Sequence, residues 1–100
     1  MNVVQVLNVK LQRNDQNVSW GFNVQGGKEF NCPLVIQRVT ANSLADRCSI
    51  RPGDYILRVG TLSTEHLTHN QSRDSIVRQG NSLELTLQRF LLRFCFFFFI

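Results

Sequence analysis

The chain has 100 residues, 43% of them apolar, and a formal charge of +4 from 11 basic and 7 acidic side chains. That length holds one domain and excludes two-lobed kinases and TIM-type barrels, while the apolar share supports a packed core and excludes global disorder. The positive charge is spread along the chain without a run of Lys or Arg, which excludes a polybasic tail and gives only weak support for nucleic acid as a partner; none is expected.

Val6 to Gln12 alternates Leu7, Val9 and Leu11 with Asn8 and Lys10, the period of a half-buried strand. Arg13 to Ser19 is polar and reads as a loop. Trp20 to Gln25 is a second strand, closed by Gly26-Gly27, and Lys28 to Pro33 is a loop. Leu34 to Val39 forms a third strand. Ser43 can cap a short helix to Cys48, with Leu44, Ala45 and Cys48 facing inward. Arg51-Pro52-Gly53-Asp54 is a turn, and Tyr55 to Val59 a fourth strand ended by Gly60. Thr68 to Gln79 carries the strongest helix signal: Thr68 as N-cap, Gln71 three residues on as its capping-box partner, and Gly80 at the C-cap. Ser82 to Gln88 alternates Leu83, Leu85 and Leu87 with Glu84, Thr86 and Gln88, and is the last strand. The order is strand, strand, strand, short helix, strand, long helix, strand, an α+β pattern.

The segment with chemical content is Ser19-Trp20-Gly21-Phe22-Asn23-Val24-Gln25-Gly26-Gly27. A glycine between two large apolar residues, leading into a strand, lets successive backbone N–H groups turn toward one point and form an anion-binding nest. Trp20 and Phe22 flank that point with apolar walls. The combination suits a C-terminal carboxylate followed inward by an apolar last side chain, and a strand with one free edge could accept that peptide as an added strand. Other chemistries fail on their residues. In Gly21-x-x-x-x-Gly26-Gly27-Lys28, Glu29 replaces the Ser or Thr that a phosphate loop needs for magnesium. His66 and His69 lack a second spaced pair to hold zinc, and no Gly-x-Ser-x-Gly elbow is present. The reading is non-catalytic, without metal or cofactor.

Several of these motifs, in this order, resemble a PDZ domain. Ser19-Trp20-Gly21-Phe22 stands where that family has its carboxylate-binding loop, and Arg51-Pro52-Gly53-Asp54-Tyr55-Ile56-Leu57 is similar to its Pro-Gly-Asp turn and following strand. The helix from His69 resembles the groove helix, and the order of elements agrees from about residue 5 to residue 89. This resemblance implies an α+β fold: a strongly bent, partly open antiparallel sheet of five or six strands, capped by two helices. Trp20-Gly21-Phe22, Gln25-Gly26-Gly27, Phe30-Asn31-Cys32-Pro33-Leu34, Leu67-Thr68-His69 and Val77-Arg78-Gln79-Gly80-Asn81 look most like the ALP/Enigma group of PDZ–LIM proteins, particularly the Zasp-like ones. Ser19 departs from the proline usual in that group and leaves the start of the loop less rigid; Asn23 departs from its common arginine. The stretch after Cys48 holds a single cysteine, Cys95, so no LIM domain is expected within these 100 residues.

The resemblance implies recognition of C-terminal peptides of other proteins. The backbone N–H groups of Trp20, Gly21 and Phe22 would hold the carboxylate, and the peptide would pair with Phe22, Asn23, Val24 and Gln25. It would lie against the helix His69–Gln79. His69 would accept a Ser or Thr hydroxyl two residues before the ligand's end, the class I preference. Arg73 and Ile76 share its helix face; Arg73 would meet an acidic ligand residue or water, and Ile76 would help wall the last side chain. By the same resemblance the chain is a cytoplasmic, cytoskeleton-associated scaffold linked to actin and the Z-disc, with alpha-actinin as partner.

The end of the chain differs in composition. Ten of the eleven residues 90–100 are apolar, and six of the eight phenylalanines lie there. The expected division is a peptide-binding domain over 1–89 and an apolar tail over 90–100. The tail is about half the ~20 apolar residues a membrane-spanning helix needs. The alternative function is a membrane-surface protein anchored by this tail. Phe98-Phe99-Ile100 also has the shape of an apolar-class ligand of the same kind of domain, a route to tail-mediated self-association. Met1 to Leu7 lacks the basic start and cleavage site of a signal peptide, and Cys32, Cys48 and Cys95 have no CxxC spacing, which suits free thiols in the cytosol.

Overall fold

A computed structural model describes residues 2–92; the expectations for residues 93–100, including the ligand-like end Phe98-Phe99-Ile100, lie outside the described residues. Six strands and two helices follow in the order β1 (Asn2–Gln12), β2 (Phe22–Gly27), β3 (Cys32–Val39), α1 (Leu44–Arg47), β4 (Tyr55–Val59), β5 (Leu62–Ser63), α2 (His69–Arg78) and β6 (Ser82–Leu92). The strands form one antiparallel sheet in the order β1-β6-β4-β3-β2, with β5 paired to β4. The α+β architecture read from the sequence is the one observed.

Alternation explains which face each strand buries. Leu83, Leu85 and Leu87 of β6 are 2% exposed or less, and Leu11 of β1 lies beside them. β4 contributes Ile56 and Val59, β3 contributes Leu34 and Ile36, and α2 adds Ile76. The helix starts where its sequence says. The Gln71 amide donates to Thr68 Oγ1 at 3.2 Å and the Thr68 amide donates to Gln71 Oε1 at 2.9 Å, closing the capping box. Ser43 caps α1 through the Asp46 amide, but α1 is a single turn; Ser49, at φ 65°, stops it before Pro52.

Several boundaries differ from the sequence reading: β1 already begins at Asn2 and β3 at Cys32, each ahead of the alternation that marked it. β2 begins at Phe22, not Trp20, because Gly21 has φ +92° and cannot continue a ladder; Trp20 instead turns into the core at 8% exposure. β2 then runs through Gly26 and Gly27, with irregular register after Asn23 and Gln25. β6 is longer than the Leu alternation suggested. Its ladder with β1 continues from Leu11↔Leu83 to Asn2↔Leu92, so the sheet takes in Phe90, Leu91 and Leu92, which composition had placed in the tail. The two-residue β5 and a 3₁₀ turn at Lys28–Phe30 had no sequence signal.

A buried ion pair fastens the middle of the sheet. Asp54, 2% exposed, accepts from Arg89 Nε at 2.8 Å and from Arg89 Nη2 at 2.7 Å, and also from the Arg51 amide at 2.9 Å. The bond to Asp54 raises the Arg89 pKa further above its usual value. The Arg51–Asp54 turn is therefore locked to β6.

Candidate functional site

Among the described residues β2 has one sheet neighbour, β3, so its other edge is free. α2 packs beside that edge. Between them lies a groove of about 340 Å³ lined by Trp20, Phe22, Asn23, Val24, His69, Arg73, Ile76 and Val77. His69, Arg73 and Ile76, spaced four and three residues apart, meet there as helical periodicity requires. Trp20 and Ile76 are 8% exposed each and form the floor, while Arg73 is exposed at the rim. Gly21 borders a smaller cavity of about 240 Å³ at the loop, and Gln25 lines a third cavity of about 570 Å³ that begins at Val24 and His69. Val77, 73% exposed on the rim, is the one lining residue that sequence reasoning did not single out.

The loop at one end of the groove is held from its carbonyl side. Trp20 O accepts from the Ala45 amide at 2.9 Å, and Gly21 O accepts from the Thr40 amide at 2.7 Å. A side chain at Gly21 would collide with Ser43, so only glycine fits both the φ and the space. The Arg13 guanidinium stacks 4.1 Å from the centre of the Trp20 ring. It also donates to Val18 O at 2.7 Å and to Gly80 O at 3.2 Å. Arg13 thus joins the loop to the far end of α2, a link between residues too distant in sequence to be read from spacing. Ser19 does more than occupy the start of the loop: its Oγ accepts the Gly21 amide at 3.1 Å. Of the three N–H groups expected to serve an anion, one already has a partner inside the loop.

The other end is organised around His69. Its backbone N–H donates to Glu29 Oε1 at 2.9 Å, and that bond holds the Glu29 carboxyl below its ordinary range. Its ring Nδ1 lies 2.9 Å from Gly26 O. A carbonyl can only accept, so Nδ1 carries the proton, and in the tautomer with a single ring proton Nε2 is the acceptor. This approach requires Gly27, where a Cβ would lie 2.6 Å from the His69 nitrogen at φ +137°. Glu29 was hidden from sequence reasoning because its partner is 40 positions away. The described residues contain no group of three or more His, Cys, Asp or Glu able to hold a metal ion, and no helix long and apolar enough to cross a membrane.

Comparison with known proteins places this arrangement. The PDZ domain family model matches residues 8–88. "PDZ and LIM domain protein Zasp" of Drosophila melanogaster is 39% identical over 85 residues, covering 85% of this chain and 4% of that protein. "PDZ and LIM domain protein 3" of Rattus norvegicus is 41% identical over 76 residues, covering 76% of this chain and 21% of that protein. The chain therefore spans a small part of the curated relatives it matches. The second PDZ domain of Dlg1 from the choanoflagellate Monosiga brevicollis superposes with a TM-score of 0.75 over 83% of this chain and 97% of that one, at 20% identity, a likeness of fold. PDZ domains are non-catalytic modules that bind C-terminal peptides of other proteins. The chain belongs to the PDZ domain family, and the curated relatives it resembles include PDZ and LIM domain proteins.

Proposed function

We propose that this domain binds C-terminal peptides of class I, with Ser or Thr two residues before an apolar last residue, by adding them as a strand to β2. The observation that carries this is the pairing of a free β2 edge with the His69–Arg73–Ile76 face of α2 across one groove, closed at one end by the Trp20–Phe22 loop. The ligand's carboxylate would take charge-assisted bonds from the amides of Trp20, Gly21 and Phe22. Its last side chain would rest on Trp20, Phe22, Val24 and Ile76, and His69 Nε2 would accept the hydroxyl. Few side chains are buried in such a site, which suits micromolar binding, about −8 kcal/mol.

In the cell this domain would serve a cytoplasmic, cytoskeleton-associated scaffold of the Z-disc and actin system, with the C-terminus of alpha-actinin as its ligand. Support comes from the PDZ and LIM domain relatives and the motifs shared with them. The test is calorimetry with a class I peptide as free acid and as C-terminal amide. Amidation removes the charge and at least one bond worth about 1.5–3 kcal/mol, so affinity should fall at least about tenfold. Equal binding of the two forms would refute the site.

A further inference from the structure

The sheet has two outer edges, and they are built differently. The β2 edge is interrupted: its register with β3 shifts after Asn23 and after Gln25. The β1 edge is not. It pairs with β6 from Asn2↔Leu92 to Gln12↔Ser82 without a shift, and among the described residues β6 is its only strand partner. Natural sheet edges are commonly blunted by charge, proline or a bulge. From Asn2 to Val9 this one reads Asn-Val-Val-Gln-Val-Leu-Asn-Val and has none of the three. Leu7 and Val9 pack on the core, whereas Val4 and Val6, on the opposite face, are 51% and 57% exposed. Phe90, directly opposite Val4 in the ladder, is exposed beside them. Pairing of β4 with β6 ends at Tyr55↔Gln88, so beyond Gln88 the β1–β6 ladder runs on as a two-strand ribbon.

We propose that the β1 edge is a dimerisation surface and that its partner is a second copy of this chain. Antiparallel pairing about a two-fold axis at Gln5 sets Gln5 opposite Gln5, Val4 opposite Val6, and Asn2 opposite Asn8 of the second copy. Directly opposed residues share a face, so the exposed valines of both copies meet in one patch flanked by the two Phe90 rings. Charge favours this register. It covers residues 2–8, which are uncharged, and ends before Lys10, where α1 approaches and Cys48 Sγ lies 3.9 Å from Lys10 O. An edge of that span is about 23 Å long and a sheet about 10 Å thick, so each copy contributes a contact of about 230 Å². A permanent dimer needs about 800 Å² per partner, so this one is reversible and concentration-dependent. It closes at two copies, because each uses its only edge of this shape. β2 lies at the other end of the sheet path, so the dimer would carry two open grooves. The pairing does not depend on what those grooves bind.

The experiment is sedimentation equilibrium on the full chain from about 10 μM to about 1 mM, the range in which weak pairing is read. The mean mass should rise from one chain toward two and no further. Val4→Lys with Val6→Lys should hold the chain monomeric, and so should Val4→Glu with Val6→Glu, because like charges then oppose each other across the axis. An equimolar mixture of these two variants should dimerise about fivefold or more tightly than either alone, since each lysine then meets a glutamate. Both positions are exposed, so the urea midpoints should stay close to that of wild type, which separates lost pairing from lost fold. A wild-type chain that stays monomeric throughout overturns the proposal. Association that survives in the lysine variant overturns it too, and is the result expected if the apolar end 93–100 drives contact. Growth beyond two copies would mean open aggregation in place of a closed pair. A mixture no more associated than its components would refute the two-fold register at Gln5.

Discussion

Ser19 offers the sharpest perturbation of the proposed carboxylate site. Its Oγ accepts the Gly21 amide at 3.1 Å, and that amide is among those a ligand carboxylate would use. Binding must therefore exchange a neutral bond for a charge-assisted one. The neutral bond is worth about 0.5–1.5 kcal/mol net of water, and the charged one about 1.5–3 kcal/mol. Ser19→Ala removes the internal competitor and leaves the loop pinned by Thr40 and Ala45. Affinity for a free-acid peptide should rise by the whole neutral term, about two- to tenfold. The amidated peptide should not gain by the same factor. Ser19→Asp should act the other way, because its carboxylate can close the same turn and repels the ligand's charge. The same bond is lost from the free domain, so Ser19→Ala should lower stability by no more than its worth, about 0.5–1.5 kcal/mol. Calorimetry of acid and amide peptides on the three proteins decides it. An acid-to-amide ratio that is the same in wild type and Ser19→Ala would show that the Ser19 bond does not compete with ligand.

Three further outcomes follow from named contacts. His69→Val should weaken peptides with Ser or Thr two before the end by about two- to tenfold and spare those with valine there; an unchanged ranking in competition assays would remove His69 from that role. Arg89→Met strips the partner from Asp54, which is 2% exposed, and should cost about 3–5 kcal/mol, seen as a lower urea midpoint; Asp54→Leu in the same chain should recover part of it. The Glu29 pKa is lowered in the folded domain, first by the His69 amide, so its contribution is present above the usual glutamate range and is lost as pH falls through the lower folded value. Glu29→Gln should abolish that acid-side component of the stability–pH profile while leaving the neutral-pH fold intact.

Much of the groove was legible because its signals are local. The capping box at Thr68 and Gln71 fixes where α2 begins, and that start sets which side chains share the His69 face. The Leu83–Leu87 alternation fixes which side of β6 is buried. The sequence motif around Trp20 told of a turn and an apolar wall, but not that Trp20 leaves the strand, since that follows from the positive φ of Gly21 wedged against Ser43. The contacts that hold the site together are long-range. Arg13 meets Gly80, Glu29 meets His69 and Asp54 meets Arg89, and in each pair the charged member Arg13, Glu29 or Arg89, read alone, is an ordinary exposed charge. The length of β6 was hidden for a different reason: composition separated residues 90–92 from the domain, whereas backbone pairing with β1 ignores side-chain type.

These long-range contacts also bear on how ligand binding divides into parts. At the loop, Trp20 and Gly21 are fixed by Ala45 and Thr40, and Arg13 ties the loop to the end of α2. At the other end, Gly26 and Glu29 grip His69 through its ring and its amide. The groove width is thus set before a peptide arrives, and the main cost of binding is ordering the peptide itself. In so rigid a frame the carboxylate contact and the hydroxyl contact should behave as separate units. From Phe22 to Gly26 the strand rises four steps, about 13 Å, beyond the range at which mutational effects usually couple. Ser19→Ala combined with His69→Val should therefore change the free energy of binding a class I peptide by the sum of the single effects, to within about 0.5 kcal/mol. A larger departure would mean that the loop and the helix move together when the peptide enters, and that the contacts from Arg13 and Glu29 do not hold the groove at a fixed width.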